Sequence, residues 1–195
     1  MADMHSLPIF VKLNGRAAIL VGEGEAAEAK ARMIERAGGT VVGEDDPADA
    51  ALAFVALDDE VEALDAVERL RGRGLLVNAV DRPKLCDFTT PAIVDRSPVL
   101  IAVATGGASA GLAKALRQRI EAMLPSELGK LADALKSART AMKDRWPDAA
   151  DRRRAIDAAL APSGPSRSFR GRGLINSSTI ARSVMGAVSS PQTLR

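Results

Sequence analysis

Residues 18–30, A-I-L-V-G-E-G-E-A-A-E-A-K, decide how the first part of this 195-residue chain folds. An apolar run ends at Gly22, a second glycine follows at Gly24, and alanines with charged residues continue the segment. This order predicts a buried strand, a tight turn and a helix. With Ala27 it also fits the pattern G-x-G-x-x-A, in which the first glycine allows the turn, the second admits a pyrophosphate and the third small residue lets helix and strand pack closely. A strand–turn–helix without a ligand is the alternative.

Acidic residues stand where a dinucleotide site needs them. Glu44, Asp45 and Asp46 lie about 20 residues beyond the glycines, the distance at which an acid binds the adenosine ribose. The spacing does not choose among them, and an acid there favours NAD over NADP because it repels a 2′-phosphate. Glu23 and Glu25, inside the turn, count against phosphate binding. The predicted cofactor-binding residues are Gly22, Glu23, Gly24, Glu25, Ala26, Ala27, Glu44, Asp45, Leu57 and Asp58.

Strands and helices alternate along the first half of the chain. The predicted strands are 16–22, 40–43, 51–57 and 75–80, and the predicted helices are 25–37 and 59–71. Such alternation implies right-handed crossovers and a mainly parallel, Rossmann-like α/β sheet. Two further strands are expected at 90–95 and 99–105. In the second helix the residues spaced for burial are Val61, Leu64, Val67 and Leu70.

Three amphipathic helices are predicted after Gly106-Gly107. Ser109 is the expected N-cap of the first helix, whose leucines and isoleucine recur every four residues up to Pro125. The second helix, 126–144, carries one apolar stripe, and the third covers 149–161. These helices form either a smaller module with a dimer contact or another layer on the same sheet. The stripe of the second helix consists of Leu128, Leu131, Leu135, Ala138 and Met142.

The composition limits the possible classes of protein. A single cysteine, Cys86, excludes an internal disulfide and suits the cytoplasm. No leader and no membrane span are expected from the apolar runs. The net charge of +2 includes five arginines and no acid in 163–195, so the preceding residues sum to −3 and that segment has the composition of a flexible tail. Nucleic-acid binding is not expected, because no aromatic residues are interleaved with basic ones.

Acid–base chemistry must fall to carboxylates, since the only histidine is His5 and there is no tyrosine. Asp81 ends the predicted strand L-L-V-N-A-V-D at the carboxyl edge of the sheet, where open α/β sheets bind ligands. A carboxylate there is suited to take protons. The start of a turn at Asp81-Arg82-Pro83 is the alternative. A second glycine-rich stretch, T-G-G-A-S at 105–109, either binds an anion or only connects a strand to a helix.

These motifs together resemble the precorrin-2 dehydrogenase/sirohydrochlorin ferrochelatase family, the N-terminal part of siroheme synthase. The resemblance spans residues 6–160, and V-D-x-P-K with P-A-I-x-D-R-S-P is its most specific part. The D-R-R-R at 151–154 is similar to the family's last helices. The other similar segments are L-P-I-F-V-K-L at 7–13, V-G-E-G-E-A-A-E-A-K-A-R at 21–32, N-A-V-D-R-P-K at 78–84, D-F-T-T-P-A-I-V-D-R-S-P-V-L-I-A-V at 87–103, T-G-G-A-S-A at 105–110 and L-R-Q-R-I-E-A-M-L-P at 116–125.

The resemblance implies an enzyme with two activities. NAD⁺ would oxidise precorrin-2 to sirohydrochlorin, with Asp81 as general base, and the same cavity would then insert Fe²⁺. The iron would be held only transiently near Asp81, with no stable metal site. The implied contacts with the tetrapyrrole are Asn78, Lys84, Thr105, Gly106, Ser109, Lys114 and Arg117, with Arg96 as a further basic residue; a solvated surface charge is the alternative for each basic one.

The resemblance also implies a domain order and an assembly. The expected parts are an NAD-binding domain at 1–105, a dimerisation segment at 106–125 to which strands 90–105 contribute, a helical domain at 126–162 and a basic tail at 163–195. The expected assembly is an intertwined, cytoplasmic homodimer, supplied by a separate uroporphyrinogen methyltransferase.

Three positions depart from the family pattern. Glu23 stands where the family has the middle glycine of G-G-G, and the region 43–50 is shorter than usual. Both favour the alternative function, a non-catalytic nucleotide- or tetrapyrrole-binding module. Thr105 replaces a serine and keeps its hydroxyl group.

Overall fold

A computed structural model describes residues 4–46 and 48–160, with only the backbone for 159 and 160. The chain divides into two compact units, Met1–Thr90 and Pro91–Arg195, and each is described by itself. No helix within the described ranges has both the length and the apolar composition needed to span a membrane. The predicted tail at 163–195 lies outside the described residues.

The first unit contains a four-stranded, all-parallel sheet. Its strands are β1 (Ala17–Gly22), β2 (Thr40–Val42), β3 (Ala50–Ala56) and β4 (Leu76–Ala79), in the order β2-β1-β3-β4. Helix α1 (Gly24–Arg36) connects β1 to β2, and helix α2 (Glu60–Gly72) connects β3 to β4. The chain therefore leaves β1 toward one edge and later continues from β3 toward the other. The boundary between β1 and β3 is the switch point at which open α/β sheets bind ligands.

Each face of this sheet packs against one helix. On one face, Phe54 of β3 and Ala18 of β1 pack against Ile34 of α1. On the other face, Ile19 and Val55 pack against α2. The prediction that Val61 and Leu64 are buried is wrong, because they are 68% and 40% exposed. The stripe of α2 that meets the sheet consists of Ala63, Ala66, Val67 and Leu70, so the small alanines let the helix lie close to the strands.

The second unit begins with a separate antiparallel hairpin. Strands β5 (Ala92–Arg96) and β6 (Val99–Val103) pair only with each other. Both were expected from the sequence, and the structure shows that they do not extend the parallel sheet. Helix α3 (Ala110–Met123) packs against both strands, and the side chain of its N-cap, Ser109, accepts a hydrogen bond from the backbone N–H of Leu112 as predicted.

The last three helices form a small cluster. They are α4 (Leu128–Ser137), α5 (Arg139–Arg145) and α6 (Ala149–Leu160). The single helix predicted at 126–144 is wrong, since the chain divides at Ala138 into α4 and α5. The predicted stripe is correct: Leu131, Ala138 and Met142 are buried, with Leu128, Leu135, Trp146 and Ile156 packed around them.

Candidate functional site

The glycine turn between β1 and α1 has the geometry of a ligand-binding turn. Gly22 has φ 109°, and a Cβ there would lie 2.0 Å from the carbonyl oxygen of Ala56, so only glycine fits. Gly24 has φ 84° and open space where a side chain would stand. Ala27, in the first turn of α1, is buried. Glu23, the N-cap of α1, makes no capping hydrogen bond with its side chain. The first N–H groups of α1 are therefore left for an anion.

An open cleft of about 640 Å³ lies at the switch point of the sheet. Gly22 and Glu23 line it from the end of β1, and residues 56–59 line it from the end of β3. Four of its lining residues are acids: Glu23, Asp58, Asp59 and Glu62. Asp59 is engaged as N-cap of α2, where its carboxylate accepts from the N–H groups of Val61 and Glu62 at 2.9 Å. The turn thus fits phosphates, while the remaining acids fit ribose hydroxyls better than phosphate.

The three acids after β2 have different partners. Glu44 forms a bidentate ion pair with Arg69, with both N···O distances 2.9 Å, and these hydrogen bonds hold the pKa of Glu44 below its usual value. Arg69 lies in the last turn of α2, at the opposite end of the helix from the cleft residue Asp59. Asp46 accepts from the N–H of Ala48 at 2.8 Å. Asp45 is exposed and forms no hydrogen bond or ion pair with any described residue. Ribose binding by Glu44 would require its pair with Arg69 to open.

Asp81 lies just beyond β4, at the carboxyl edge of the sheet. Its φ of 58° is the only positive value at a non-glycine position among the described residues. The N–H of Val80 still donates to the carbonyl of Val55 at 2.8 Å, so the chain leaves the sheet immediately before Asp81. A left-handed aspartate costs about 1 kcal/mol of backbone strain, and such strain is concentrated at functional sites. The Asp81 carboxylate is exposed and available to a ligand.

Arg82 joins the turn of Asp81 to the cleft wall. Its guanidinium donates to the carbonyl oxygens of Leu57 and Asp58, both at 2.8 Å, and to that of Val80 at 3.3 Å. From the sequence, Arg82 is expected only to belong to a turn. An arginine directly after a strand-end aspartate is the only local signal for this contact, and its partners lie 24 and 25 residues away.

Asn78 lies beneath the edge rather than at its surface. It is 5% exposed, and its amide donates to the carbonyl of Phe88 at 2.8 Å and to the sulfur of Cys86 at 3.4 Å. The thiol of Cys86 in turn donates to the carbonyl of Ala79 at 3.1 Å. These bonds support the strand that carries Asp81. Direct contact between Asn78 and a substrate stays a prediction.

The other predicted substrate residues differ in how far their side chains are engaged. Lys84 and Lys114 are exposed. The hydroxyl of Thr105 accepts from the N–H of Ser109 at 3.2 Å and donates to its carbonyl at 3.0 Å, so the T-G-G-A-S stretch, with Gly106 at φ 61°, is a closed turn before α3. Arg117 pairs with Glu121, which also binds Arg96. Within the described ranges, no group of three or more His, Cys, Asp or Glu side chains is placed to hold a metal ion.

This chain is similar in sequence to one family model and to several known proteins. Residues 37–92 match a family model described as "Putative NAD(P)-binding". Siroheme synthase of Methylobacillus flagellatus is 38% identical over a 176-residue alignment, which covers 77% of this chain and 38% of that protein. The chain is related to the siroheme synthases. Siroheme synthase of Thioalkalivibrio sulfidiphilus is 37% identical over 177 residues, covering 77% of this chain and 36% of the relative.

The siroheme synthase relatives are much longer than the part they share with this chain, which spans about two fifths of their length. Siroheme synthase 2 of Cronobacter sakazakii is 36% identical over 177 residues, covering 77% of this chain and 39% of the relative. A solved structure named "SirC, precorrin-2 dehydrogenase" superimposes with a TM-score of 0.64 at 17% identity, covering 94% of this chain and 98% of that one. It therefore has the same fold as this siroheme synthase relative.

Proposed function

We propose that this chain is an NAD⁺-dependent dehydrogenase that oxidises precorrin-2 to sirohydrochlorin in siroheme synthesis. The observation that carries the proposal is Asp81, an exposed carboxylate in a strained left-handed conformation next to Arg82, whose guanidinium binds the wall of the switch-point cleft. The 38% identity with a siroheme synthase and the fold shared with a precorrin-2 dehydrogenase support it.

The residues at the carboxyl edge of the sheet have separate roles in the proposed reaction. The N–H groups at the start of α1 bind the pyrophosphate, and Gly24 leaves room for it. When bound, NAD⁺ supplies the hydride acceptor. Asp81 takes the proton that leaves the tetrapyrrole as the new double bond forms, so one hydride and one proton leave the substrate. Arg82 holds the cleft wall and the Asp81 turn in fixed relation.

We assign the ribose contact to Asp58, which lines the cleft, since Arg69 and Arg73 hold Glu44, and with it Asp45, at the end of α2 opposite the cleft. An acid at that contact favours NAD⁺ over NADP⁺ because it repels a 2′-phosphate. The other acids that line the cleft also repel a 2′-phosphate and so favour NAD⁺ over NADP⁺.

The proposal extends to iron insertion and to assembly. Fe²⁺ would enter as a substrate, bound by the nitrogens of sirohydrochlorin, with Asp81 taking up the two displaced protons one at a time and passing each to solvent. A homodimer through 106–125 and the hairpin is supported by apolar side chains exposed in the second unit, namely Ile93, Leu100, Leu112, Leu116 and Met123.

The test is a direct assay of the purified chain with precorrin-2 and NAD⁺, followed at the NADH absorbance band, with Fe²⁺ added afterwards. NADH formation is expected with the parent protein and not with Asp81→Asn, which should still bind NAD⁺. Absence of NAD⁺ binding by the parent protein would overturn the dehydrogenase proposal.

A second candidate function is a non-catalytic tetrapyrrole- or nucleotide-binding module. The observation that favours it is the acidic cleft, because Glu23, Asp58 and Glu62 oppose phosphate binding. Tetrapyrrole binding without NADH formation in the parent protein would select this function.

A further inference from the structure

A lysine of helix α1 reaches across the sheet to the segment that follows β4. The ammonium of Lys30 is 2.9 Å from the hydroxyl oxygen of Thr90, to which it donates, and 5.7 Å from the centroid of the Phe54 ring. The Phe88 ring meets Phe54 edge-on, with their centroids 5.4 Å apart. Lys30 is thus a half-buried cation above an aromatic pair.

Within the described part of the chain, this cation has no direct counter-ion. Among the residues the structure describes, no carboxylate oxygen lies within 4.0 Å of its ammonium nitrogen. Burial lowers the pKa of Lys30, while the Asp81 carboxylate and, when it is ionised, the Cys86 thiol act in the opposite direction. Asp81 is therefore close enough to influence Lys30 electrostatically without pairing with it.

We propose that Lys30 binds a peripheral carboxylate of the tetrapyrrole substrate next to Asp81. The inference rests on the proposed function and adds a binding residue to it. An ammonium has three donors, and the described contacts of Lys30 use one of them, on Thr90. A half-buried cation without a counter-ion gains more from an anionic ligand than a solvated surface lysine does, because part of its desolvation has already occurred.

A purely structural role predicts the opposite effect on stability. If Lys30 served mainly to fasten α1 to Thr90, its replacement would destabilise the folded protein. If Lys30 is a binding residue, Lys30→Met removes a partly desolvated charge while keeping the apolar stem over Phe54. The thermal midpoint of the ligand-free protein should then stay the same or rise, although binding is impaired.

The experiment compares Lys30→Met and Lys30→Arg with Lys12→Met, the same chemical change at an exposed position of the first unit. Lys30→Met is expected to raise the KM for precorrin-2 and the Kd for sirohydrochlorin about tenfold, the loss typical of one charge-assisted hydrogen bond. The KM for NAD⁺ and the thermal midpoint should not worsen. Lys30→Arg should recover part of the affinity, and Lys12→Met should match the parent protein.

Two results would overturn the inference: an unchanged Kd for sirohydrochlorin in Lys30→Met, or a fall in thermal midpoint accompanied by equal losses for both substrates. A parent protein that binds sirohydrochlorin but forms no NADH would instead overturn the dehydrogenase proposal. The binding titration therefore separates the two failures.

Discussion

The guanidinium of Arg82 donates a 2.8 Å hydrogen bond to the carbonyl oxygen of Leu57, which lines the cleft. Through this bond and its equivalent to Asp58, the residue after Asp81 fixes the wall against which a cofactor would lie. The side chain of Arg82 thereby links the position of the cleft wall to the position of the Asp81 carboxylate.

Replacing Arg82 should affect cofactor and chemistry together. Arg82→Gln loses the fork that spans two carbonyls, so the KM for NAD⁺ should rise and kcat should fall, each about three- to tenfold. Steady-state kinetics with each substrate varied in turn measures both. Arg73→Gln is the matched control, because that arginine donates to the carbonyl of Glu44 rather than to the cleft wall. Equal effects of the two variants would contradict the positioning role.

Asp81 should affect activity through its carboxylate and stability through its left-handed backbone conformation. Asp81→Gly and Asp81→Ala both remove the carboxylate, and each should lower kcat at least about 100-fold. Glycine alone relieves the left-handed strain at φ 58°, so Asp81→Gly should be more stable than Asp81→Ala by about 1 kcal/mol. Urea unfolding of the two ligand-free variants measures the difference. Equal stability would show that the turn relaxes in Asp81→Ala.

The two glycines of the turn should differ in their tolerance of a methyl group. Gly22→Ala places a Cβ 2.0 Å from the Ala56 carbonyl oxygen, which forces β1 and β3 apart and should cost about 3 kcal/mol or more. Gly24→Ala meets no atom within 4 Å and pays only for its positive φ, about 1 kcal/mol. Thermal unfolding of the ligand-free proteins compares them, and a reversed order would contradict this description of the turn.

The acid that binds the ribose can be identified by two amide substitutions. Asp58→Asn should raise the Kd for NAD⁺ about tenfold and reduce the preference over NADP⁺, since a charged acceptor in the cleft is lost. Glu44→Gln should change the Kd by less than about twofold, because Glu44 is engaged with Arg69. Calorimetric titration with both cofactors gives the two constants. The reverse pattern would show that the Glu44–Arg69 pair opens on binding.

Asp87 should contribute stability that depends on pH. Its carboxylate accepts from Arg71 at 2.8 Å and from the N–H of Val77 at 3.0 Å, and these bonds hold its pKa below the usual value. The folded protein therefore binds this proton less readily than the unfolded chain. The stabilisation is complete above about pH 4 and is lost as the pH falls through the lower pKa of the folded state.

Asp87→Asn should accordingly cost about 1 kcal/mol at neutral pH, a value reduced by partial exposure, and less at about pH 3, below the ordinary pKa of an aspartate. Urea unfolding at both pH values measures this. Asp133→Asn, at an exposed position of α4, should show no such dependence. A constant loss at both pH values would rule out the charge of Asp87 as the cause.

Local features of the site were predictable from the sequence. The turn around Gly22 and Gly24 follows from the order strand, glycine, helix, and the location of Asp81 follows from the end of an apolar run. Both depend on neighbouring residues only. The burial of α2 was predictable only in part: Val67 and Leu70 are buried as expected, but alanines, which allow a close approach to the sheet, take the places expected for Val61 and Leu64.

Contacts between distant segments were not predictable. The apolar pattern of β5 and β6 suits a place in the parallel sheet as well as a separate hairpin, and only the pairing decides. The bonds of Arg82 to Leu57 and of Lys30 to Thr90 join residues 25 and 60 positions apart. The choice of Asp58 over Glu44 as the proposed ribose acid depends on Arg69, another distant partner of Glu44.

Trp146, packed beside Leu131 and Met142, is the single tryptophan of a chain without tyrosine. Intrinsic fluorescence excited near the red edge therefore comes from the helical cluster of the second unit alone. Its emission follows the melting of that cluster, while the parallel sheet of Met1–Thr90 is optically silent in this window. Circular dichroism and tryptophan emission thus give two separate unfolding curves, and their coincidence or separation measures the cooperativity between the units without any label.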